Sequence, residues 1–288
     1  MRPRFFQYAG PDGIDVLKSL QLKVSDADKL NDPFELMPRV DPQRMTVENL
    51  MITLQQEHWI DDAYSKEGKR LGMSRREYEN FYLGGLTKRA EEKESVLKAN
   101  DCQLFWKNSE SLIREHSRLF SEEFKLICGT SSEDSILMWS HYAKEHRGIV
   151  VELDLTQMPF TRLPATEFME VDYKDERPEL TIPLAGKKLL EEMHRHARTK
   201  ASAWHYEKEI RIVMPSNMCS ADHFLKITSE CIKGVILGCR ANPDLVSEAK
   251  KQARRPELSH IYLKQAVPHR DKFQLDFQRL DAAADPKS

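Results

Sequence analysis

Two glutamates and an arginine are spaced so that their side chains could act together on a ligand. Side chains two residues apart lie on the same face of a β-strand. Applied to residues 204–214, this rule puts Glu207, Glu209 and Arg211 on one face within about 14 Å of strand. It puts three apolar side chains on the opposite face, where a core would cover them: Ile210, Ile212 and Met214. The charged face is either a solvated ladder of charges or a functional site.

The composition is that of an ordinary globular protein without a strong net charge. Among 288 residues, 44 basic and 46 acidic side chains give a formal charge of −2, so no overall field attracts nucleic acid or anionic lipid. The first residues lack the apolar run of a secretory signal, and no window approaches the roughly 18 apolar residues that span a bilayer. We therefore expect a cytoplasmic protein that makes no membrane contact.

Several familiar kinds of site are missing from the sequence. The five cysteines include no C-x-x-C pair, which argues against a disulfide framework and a zinc knuckle. The glycine-rich phosphate loops, the H-E-x-x-H zinc motif and the G-x-S-x-G hydrolase motif do not occur either. His141 and His146 are five residues apart and do not share a helical face. No tightly bound metal is expected.

The first half of the chain reads as a short β-α-β unit followed by an insertion. Strands are predicted at residues 5–9 and 22–25, with a helix between them. Asn31-Asp32-Pro33-Phe34-Glu35 predicts a shaped loop, because Pro33 disfavours the helical region for Asp32. Residues 46–123 are almost all good helix formers and predict an inserted helical subdomain or lid.

Strands and helices continue in the second half without strict alternation. Strands are predicted at 124–128, 149–154, 234–238, 260–264 and 273–277, and helices at 134–146, 184–203 and 243–254. Ser132 or Glu133 is the expected cap of the helix at 134–146. The mixture favours a single α+β domain over residues 1–280, with a mixed or antiparallel sheet and a disordered tail at 281–288.

Four residues, two on this helix and two in the turn before it, are open to two interpretations. Trp139 and Tyr142 carry aromatic rings at helical spacing, and such rings are more often part of a core than of a ligand site. Ser131 and Ser132 lie at a strand-to-helix turn, where hydroxyl groups either face a ligand or cap the helix. The sequence does not separate these interpretations.

Three ordered motifs resemble the signature of a widespread bacterial family of unknown function. They are Asn31-Asp32-Pro33-Phe34-Glu35, then Met138-Trp139-Ser140-His141-Tyr142-Ala143 with His146 and Gly148, and finally Trp204-x-Tyr206-Glu207-x-Glu209-x-Arg211. The resemblance extends over roughly residues 5–277. It implies a family and no reaction.

A more distant resemblance connects the chain with mono-ADP-ribosyltransferases. These enzymes share a polar residue on the first strand, a Ser/Thr-rich turn between a strand and a helix, and a later strand with an E-x-E or Q-x-E element. Gln7 and Tyr8, the turn at residues 130–132 and Glu207-x-Glu209 occur here in that order. The resemblance implies a sheet core like theirs and NAD as the substrate. The loop at 31–35 is similar to one in DNA-modifying members.

The roles implied by this resemblance fall mainly on the two glutamates. Glu209 would stabilise the oxocarbenium-like transition state as nicotinamide leaves, and Glu207 would orient the acceptor. The first strand lacks the family's Arg or His at Gln7 and Tyr8, and Arg4 is the alternative. The expected NAD-binding residues are Tyr8, Gln7, Arg4, Ser131, Ser132, Trp139, Tyr142, Asn31 and Arg211. The acceptor would be a protein or nucleic acid, and a toxin or phage-defence role would suit this chemistry.

Two other classes of function stay open. Glu152 and Asp154 share a strand face and could join Glu207 or Glu209 in holding Mg²⁺, as in metal-dependent nucleases. The usual D/E-x-K element of those nucleases is missing. The third hypothesis is a non-catalytic binding or regulatory protein whose helical insertion contacts a partner.

Overall fold

The chain folds into two compact units, as seen in a computed structural model. The structure describes residues 4–39, 60–61, 64–82, 84, 113–114, 117–118, 120–163, 168–180 and 186–280. The first unit contains residues 1–35, 121–175 and 200–288, and the second contains 36–120 and 176–199. The predicted tail at 281–288 and most of the predicted insertion at 46–123 lie outside the described residues.

A sheet of eight strands forms the centre of the first unit. The strands in the described part of the chain are β1 (Phe5–Ala9), β2 (Gln21–Lys23), β3 (Phe124–Thr130), β4 (Ile149–Leu153), β5 (Phe168–Glu170), β6 (Asp172–Lys174), β7 (Thr199–Ala201), β8 (Glu209–Pro215), β9 (Phe224–Lys226), β10 (Ile232–Leu237), β11 (Tyr262–Pro268) and β12 (Leu275–Arg279). The large sheet has the order β12-β11-β10-β4-β1-β3-β8-β5, while β2 pairs with β9 and β6 with β7. Its pairs are antiparallel except for β10 with β11. This mixed sheet, together with the helices, confirms the predicted α+β class.

The helices are shorter than the sequence predicts. The described helices of regular α type include α1 (Asp15–Ser19), α2 (Ile136–His141), α3 (Gly186–Ala197) and α4 (Pro243–Ala253). The hydroxyl of Ser135 caps α2 by accepting from the amide of Met138, so the predicted cap at Ser132 or Glu133 is wrong. The three residues 144–146 have positive φ angles, which a right-handed helix does not accommodate. The predicted helix at 134–146 therefore ends early.

Apolar side chains cover both faces of the large sheet. Neighbouring residues of β1 point to opposite faces, so Phe5 joins the larger core cluster and Phe6 the smaller one. Val151 and Val150 of β4 divide in the same way. The smaller cluster contains Trp139 and covers only part of its face.

The sheet separates locally between β1 and β3. These strands share a single register pair, Phe6 with Thr130. Nearer the start of β3, Ser25 takes the neighbouring position and exchanges two backbone hydrogen bonds with Leu126, at 2.9 and 3.0 Å. A strand that loses its neighbour exposes backbone and leaves room beside it. The gap between β1 and β3 is where the cavity described below opens.

The described part of the second unit is mainly helical. It includes a π-helical turn at Tyr64–Gly68, a helix at 75–82 and α3. Arg39 and Glu179 join two of its segments through a parallel bridge. Among the described residues, no helix combines the length and apolar character that a membrane crossing requires.

Candidate functional site

A cavity of about 280 Å³ lies in the first unit, where β1 and β3 part. This volume is near the lower end of the range of about 300–1,000 Å³ for small-molecule sites. The lining residues come from both strands, the loop at 29–35, α2 and the segment from 200 to 209: Gln7, Tyr8, Lys23, Ser25, Lys29, Leu30, Asn31, Glu35, Leu126, Cys128, Gly129, Met138, Tyr142, Lys200, Glu207 and Glu209. Most of these residues have polar or ionisable side chains.

The two glutamates reach the cavity from different elements. Glu209 opens β8, and the alternation predicted from the sequence holds beyond it, with Ile210, Ile212 and Met214 buried in the larger core cluster. Glu207 ends a 3₁₀ helix at Ser202–Glu207, and Lys208 then adopts φ of 45°. The predicted continuous strand at 204–214 is therefore wrong in its first half. A left-handed residue breaks the strand, and both carboxylates still face the cavity.

Lys200 connects the two carboxylates. Its Nζ atom lies 2.6 Å from Oε2 of Glu207 and 2.8 Å from Oε2 of Glu209. A third carboxylate, that of Glu35, lies 3.7 Å away, and the ring of Trp204 lies 5.1 Å from the ammonium group. Lys200 and the three glutamates are all buried. Buried charges of this kind are tolerated only when they are paired.

Arg211 holds the opposite side of the same cluster. It donates from Nε to Oε1 of Glu209 at 2.8 Å and from Nη2 to Oε2 at 3.0 Å, a two-point contact that fixes the carboxylate plane. Its Nη2 also forms an ion pair with Glu35 at 2.6 Å. The hydroxyl of Tyr173 accepts the backbone N–H of Glu209 at 2.7 Å. Glu209 is thus fixed through both its side chain and its backbone.

The three carboxylates differ in how readily they lose a proton. Burial opposes ionisation of Glu209, but Arg211 and Lys200 outweigh it and hold the pKa at about 2. Burial dominates at Glu35 and Glu207, whose pKa values are raised. The pKa of Lys200 is also raised, because the carboxylates outweigh its burial. Lys200 therefore stays an ammonium ion and is no nucleophile at neutral pH.

A chain of hydrogen bonds joins the loop at residues 31–35 to Glu207. Nδ2 of Asn31 donates to the hydroxyl of Tyr142 at 2.8 Å, and that hydroxyl donates to Oε1 of Glu207. Burial and the Glu207 carboxylate raise the pKa of Tyr142. At its other end the loop contributes Glu35 to the charge cluster. The loop therefore forms one wall of the cavity and positions Glu207.

Of the site residues predicted from the sequence, six line the cavity and Arg211 lies directly behind it. The six are Gln7, Tyr8, Asn31, Tyr142, Glu207 and Glu209. Ser131 is exposed and does not line the cavity, and the hydroxyl of Ser132 bonds to Asp134. Only the backbone carbonyl of Ser132 contributes, by accepting the Tyr8 hydroxyl at 3.0 Å.

Trp139 and Arg4 also lie away from the cavity lining, contrary to the prediction. Trp139 is completely buried in the smaller core cluster and donates from Nε1 to the carbonyl of Glu133 at 2.9 Å. Its aromatic ring therefore serves packing, the alternative that the helical spacing favoured. Arg4 lies on Glu152 with two hydrogen bonds at 3.0 and 3.2 Å. The Arg4 guanidinium, which was expected to take the role of the first-strand Arg or His of ADP-ribosyltransferases, is thus bound to Glu152 on β4.

The carboxylates considered for a magnesium site lie on strands that are not neighbours in the sheet. Glu152 on β4 and Glu209 on β8 belong to strands with β1 and β3 between them. Three strand spacings amount to about 14 Å, far beyond the reach of a shared metal ion. Asp154 forms an ion pair with Lys233 at 3.5 Å. In the described part of the chain, no group of three or more His, Cys, Asp or Glu side chains is placed so that it could hold a metal ion.

Comparison with known proteins gives one family match. Residues 138–212 match the family model described as "Protein of unknown function (DUF2971)". No curated protein and no solved structure matches the chain. The matched region begins in α2 and ends in β8, so it contains Tyr142, Lys200, Glu207, Glu209 and Arg211. It therefore includes most of the charge cluster, while Glu35 and the lining of β1 fall outside it.

Sequence reasoning missed two members of the charge cluster. Lys200 stands between Thr199 and Ala201, in a short strand without a recognisable motif. Glu35 belongs to a motif noted for its loop shape, and nothing in that motif indicates a buried carboxylate. Charged residues between a helix and a charge-rich segment are common, so this position alone does not identify Lys200.

Proposed function

We propose that this protein binds NAD in the cavity, breaks the nicotinamide–ribose bond and transfers ADP-ribose to an acceptor. The observation that carries the proposal is the meeting of Glu207 and Glu209 with first-strand residues Gln7 and Tyr8 around one cavity. In this proposal Glu209 is the catalytic carboxylate, and Arg211 and Lys200 hold it ionised and in place. A charged group that is already fixed in position stabilises the transition state without having to reorganise during the reaction.

The charge of the cluster suits this reaction. Three carboxylates against two cations, Lys200 and Arg211, leave one negative charge when all are ionised. The nicotinamide ring of NAD carries a positive charge. As the glycosidic bond breaks, its electron pair leaves with the nicotinamide nitrogen, and the positive charge moves to the ribose. A negative cluster attracts the ring in the ground state and stabilises the ribosyl cation that follows.

Glu207 has the properties of a base for the second half of the reaction. An acceptor nucleophile forms a bond to the ribosyl carbon and loses a proton. Burial raises the pKa of Glu207, and a base with a higher pKa accepts a proton more readily. Tyr142 orients its carboxylate. We propose a protein or nucleic-acid acceptor, a cytoplasmic location where NAD is available, and a role as a toxin or phage-defence effector.

The proposal is tested by the charge of Glu209. Purified protein is incubated with NAD and a chelator, and nicotinamide release is followed for the wild type, Glu209→Gln and Glu170→Gln. Glu170 is an exposed glutamate on β5 that pairs with Ile210, so the control makes the same chemical change on the neighbouring strand. We expect Glu209→Gln to slow release by about two orders of magnitude, on the scale of losing one electrostatic stabiliser.

A stability measurement separates lost catalysis from lost folding. Glu209 is buried and bonded to two cations, so Glu209→Gln should also lower the unfolding temperature. Assays are therefore run well below that temperature, with Glu207→Gln as a second variant that should impair transfer to an acceptor more than nicotinamide release. Equal NAD turnover by folded Glu209→Gln and wild type would remove Glu209 from the mechanism.

A further inference from the structure

Four aromatic side chains form a connected row beside the cavity. The ring centroids of Trp204 and Tyr206 are 6.1 Å apart. His141 continues the row, at 6.1 Å from Tyr206 and 6.4 Å from Tyr142. Each distance falls within the range of about 4.5–7 Å at which aromatic rings contact each other. These four residues are called the aromatic row below.

Both ends of the aromatic row contact residues that line the cavity. The ring of Trp204 lies 5.1 Å from Nζ of Lys200 at one end. At the other end, Tyr142 itself lines the cavity and donates to Glu207. Tyr206 directly precedes Glu207 in the 3₁₀ helix. A group held on the row is therefore next to Glu207, the proposed base for the acceptor.

The row keeps part of its aromatic surface in contact with solvent. His141 is exposed, and Trp204 and Tyr206 are half-buried. Trp139, a ring that serves packing, is completely buried. Connected rings that stay partly exposed indicate a binding surface more strongly than a single exposed ring does.

Lys208 adds a positive charge next to these rings. Its backbone N–H donates to the carbonyl of His205 at 3.2 Å, which closes the 3₁₀ helix. Its side chain is exposed and forms no ion pair in the described part of the chain. Glu207, the other charged residue of the segment 202–208, is buried. Aromatic rings combined with an exposed positive charge suit single-stranded nucleic acid, which offers flat bases and phosphates.

We propose that the aromatic row binds single-stranded nucleic acid, with a base stacked on the row and its nucleophilic nitrogen next to Glu207. Bases in a single strand are free to stack on aromatic side chains, whereas those in a duplex are stacked on one another. A base nitrogen that carries hydrogen forms a bond to the ribosyl carbon. The bond from that carbon to nicotinamide breaks, and its electron pair leaves with nicotinamide. The base nitrogen then loses its proton to Glu207.

This inference rests on the proposed function and deepens it by selecting nucleic acid over protein as the acceptor. Its test is binding of labelled single-stranded DNA, single-stranded RNA and duplex DNA of one mixed sequence, followed by fluorescence anisotropy without NAD. The variants are Tyr206→Leu/His141→Ala, His141→Ala alone and Tyr206→Trp. Phe273→Leu is the control, because it removes a fully exposed ring from the connection between β11 and β12, outside the row.

We expect the wild type to bind at least one single strand more tightly than the duplex. Tyr206→Leu/His141→Ala should weaken that binding at least about tenfold, the scale of one lost stacking contact between a base and an aromatic ring. His141→Ala should weaken it less, and Tyr206→Trp should retain it because a ring is kept. Phe273→Leu should bind as the wild type does. Thermal unfolding of each variant checks that it is folded.

Single-strand binding that is unchanged in folded Tyr206→Leu/His141→Ala and in His141→Ala would overturn the proposal. A wild type that binds neither single strand, or binds the duplex equally well, would also overturn it. Transfer of labelled ADP-ribose from NAD to protein by such a wild type would assign a protein acceptor instead. Because binding is measured without NAD, it can succeed when nicotinamide release fails, and the reverse also holds. A failure of the proposed reaction and a failure of the nucleic-acid site are therefore distinguishable.

Discussion

Replacing Lys200 by methionine should strongly destabilise the first unit. The ammonium group lies 2.6 Å from Glu207 and 2.8 Å from Glu209. At an effective dielectric constant of about 20, each contact supplies about 6 kcal/mol of attraction before desolvation is counted. Desolvation cancels much of that attraction. Removing one partner of a buried pair nevertheless costs about 3–5 kcal/mol, because the other charges stay buried without compensation.

Thermal unfolding followed by circular dichroism measures this loss. At about 2–4 °C per kcal/mol, Lys200→Met should lower the unfolding temperature by about 10 °C. Lys251→Met, on the exposed face of α4, should change it little. Lys200→Met/Glu207→Gln restores the net charge of the cluster and should recover a large part of the loss, which a double-mutant cycle quantifies. If Lys200→Met lowered the free energy of unfolding by less than about 1 kcal/mol, Lys200 would not compensate the buried carboxylates as described.

Substitutions at Tyr142, Glu209 and Gly148 test three further features of the structure. Tyr142→Phe removes the hydroxyl that orients Glu207, so NAD turnover should fall while stability, measured by urea unfolding, drops by only about 1 kcal/mol. The pKa of Glu209 in the folded protein is about 2, below its ordinary value of 4.5, so its contribution to the free energy of unfolding is present above pH 4.5 and is lost as the pH falls towards 2. The wild type should therefore lose stability between pH 5 and pH 3 in urea unfolding. Glu209→Gln should lose less, because it lacks the titrating carboxylate. Gly148→Ala would place Cβ 2.0 Å from a carbonyl oxygen of β1 and should cost more than about 3 kcal/mol, whereas Gly84→Ala meets nothing within 4 Å and should be tolerated in the same scan.

Period-two alternation predicted the part of the site that β8 supplies. Since successive side chains of a strand point to opposite faces, Glu209 and Arg211 had to lie together on the face opposite Ile210. The sequence could not predict that this charged pair is buried, because its burial depends on Glu35 and Lys200, which come from other parts of the chain. Propensity rules describe residues that are close in sequence, whereas this cluster is formed by tertiary contacts between separate segments.

Backbone exceptions account for the errors in the predicted elements. Lys208 and the residues at 144–146 have positive φ angles although none is glycine. Such conformations are rare for ordinary residues and leave no compositional signal. The strand at 204–214 and the helix at 134–146 were therefore both predicted too long. Glu207 nevertheless lines the cavity, because the 3₁₀ helix and the Lys208 turn bring it beside Glu209.

Nicotinamide release from NAD is the most direct test of ADP-ribosyl transfer in this cavity. Wild-type protein is incubated with NAD in chelator, and in parallel with labelled DNA or RNA and Mg²⁺. We expect nicotinamide release without metal, at a rate that depends on the Glu209 carboxylate, and no cleavage of the nucleic acid. Cleavage of nucleic acid that requires Mg²⁺, with no release of nicotinamide from NAD, would contradict it.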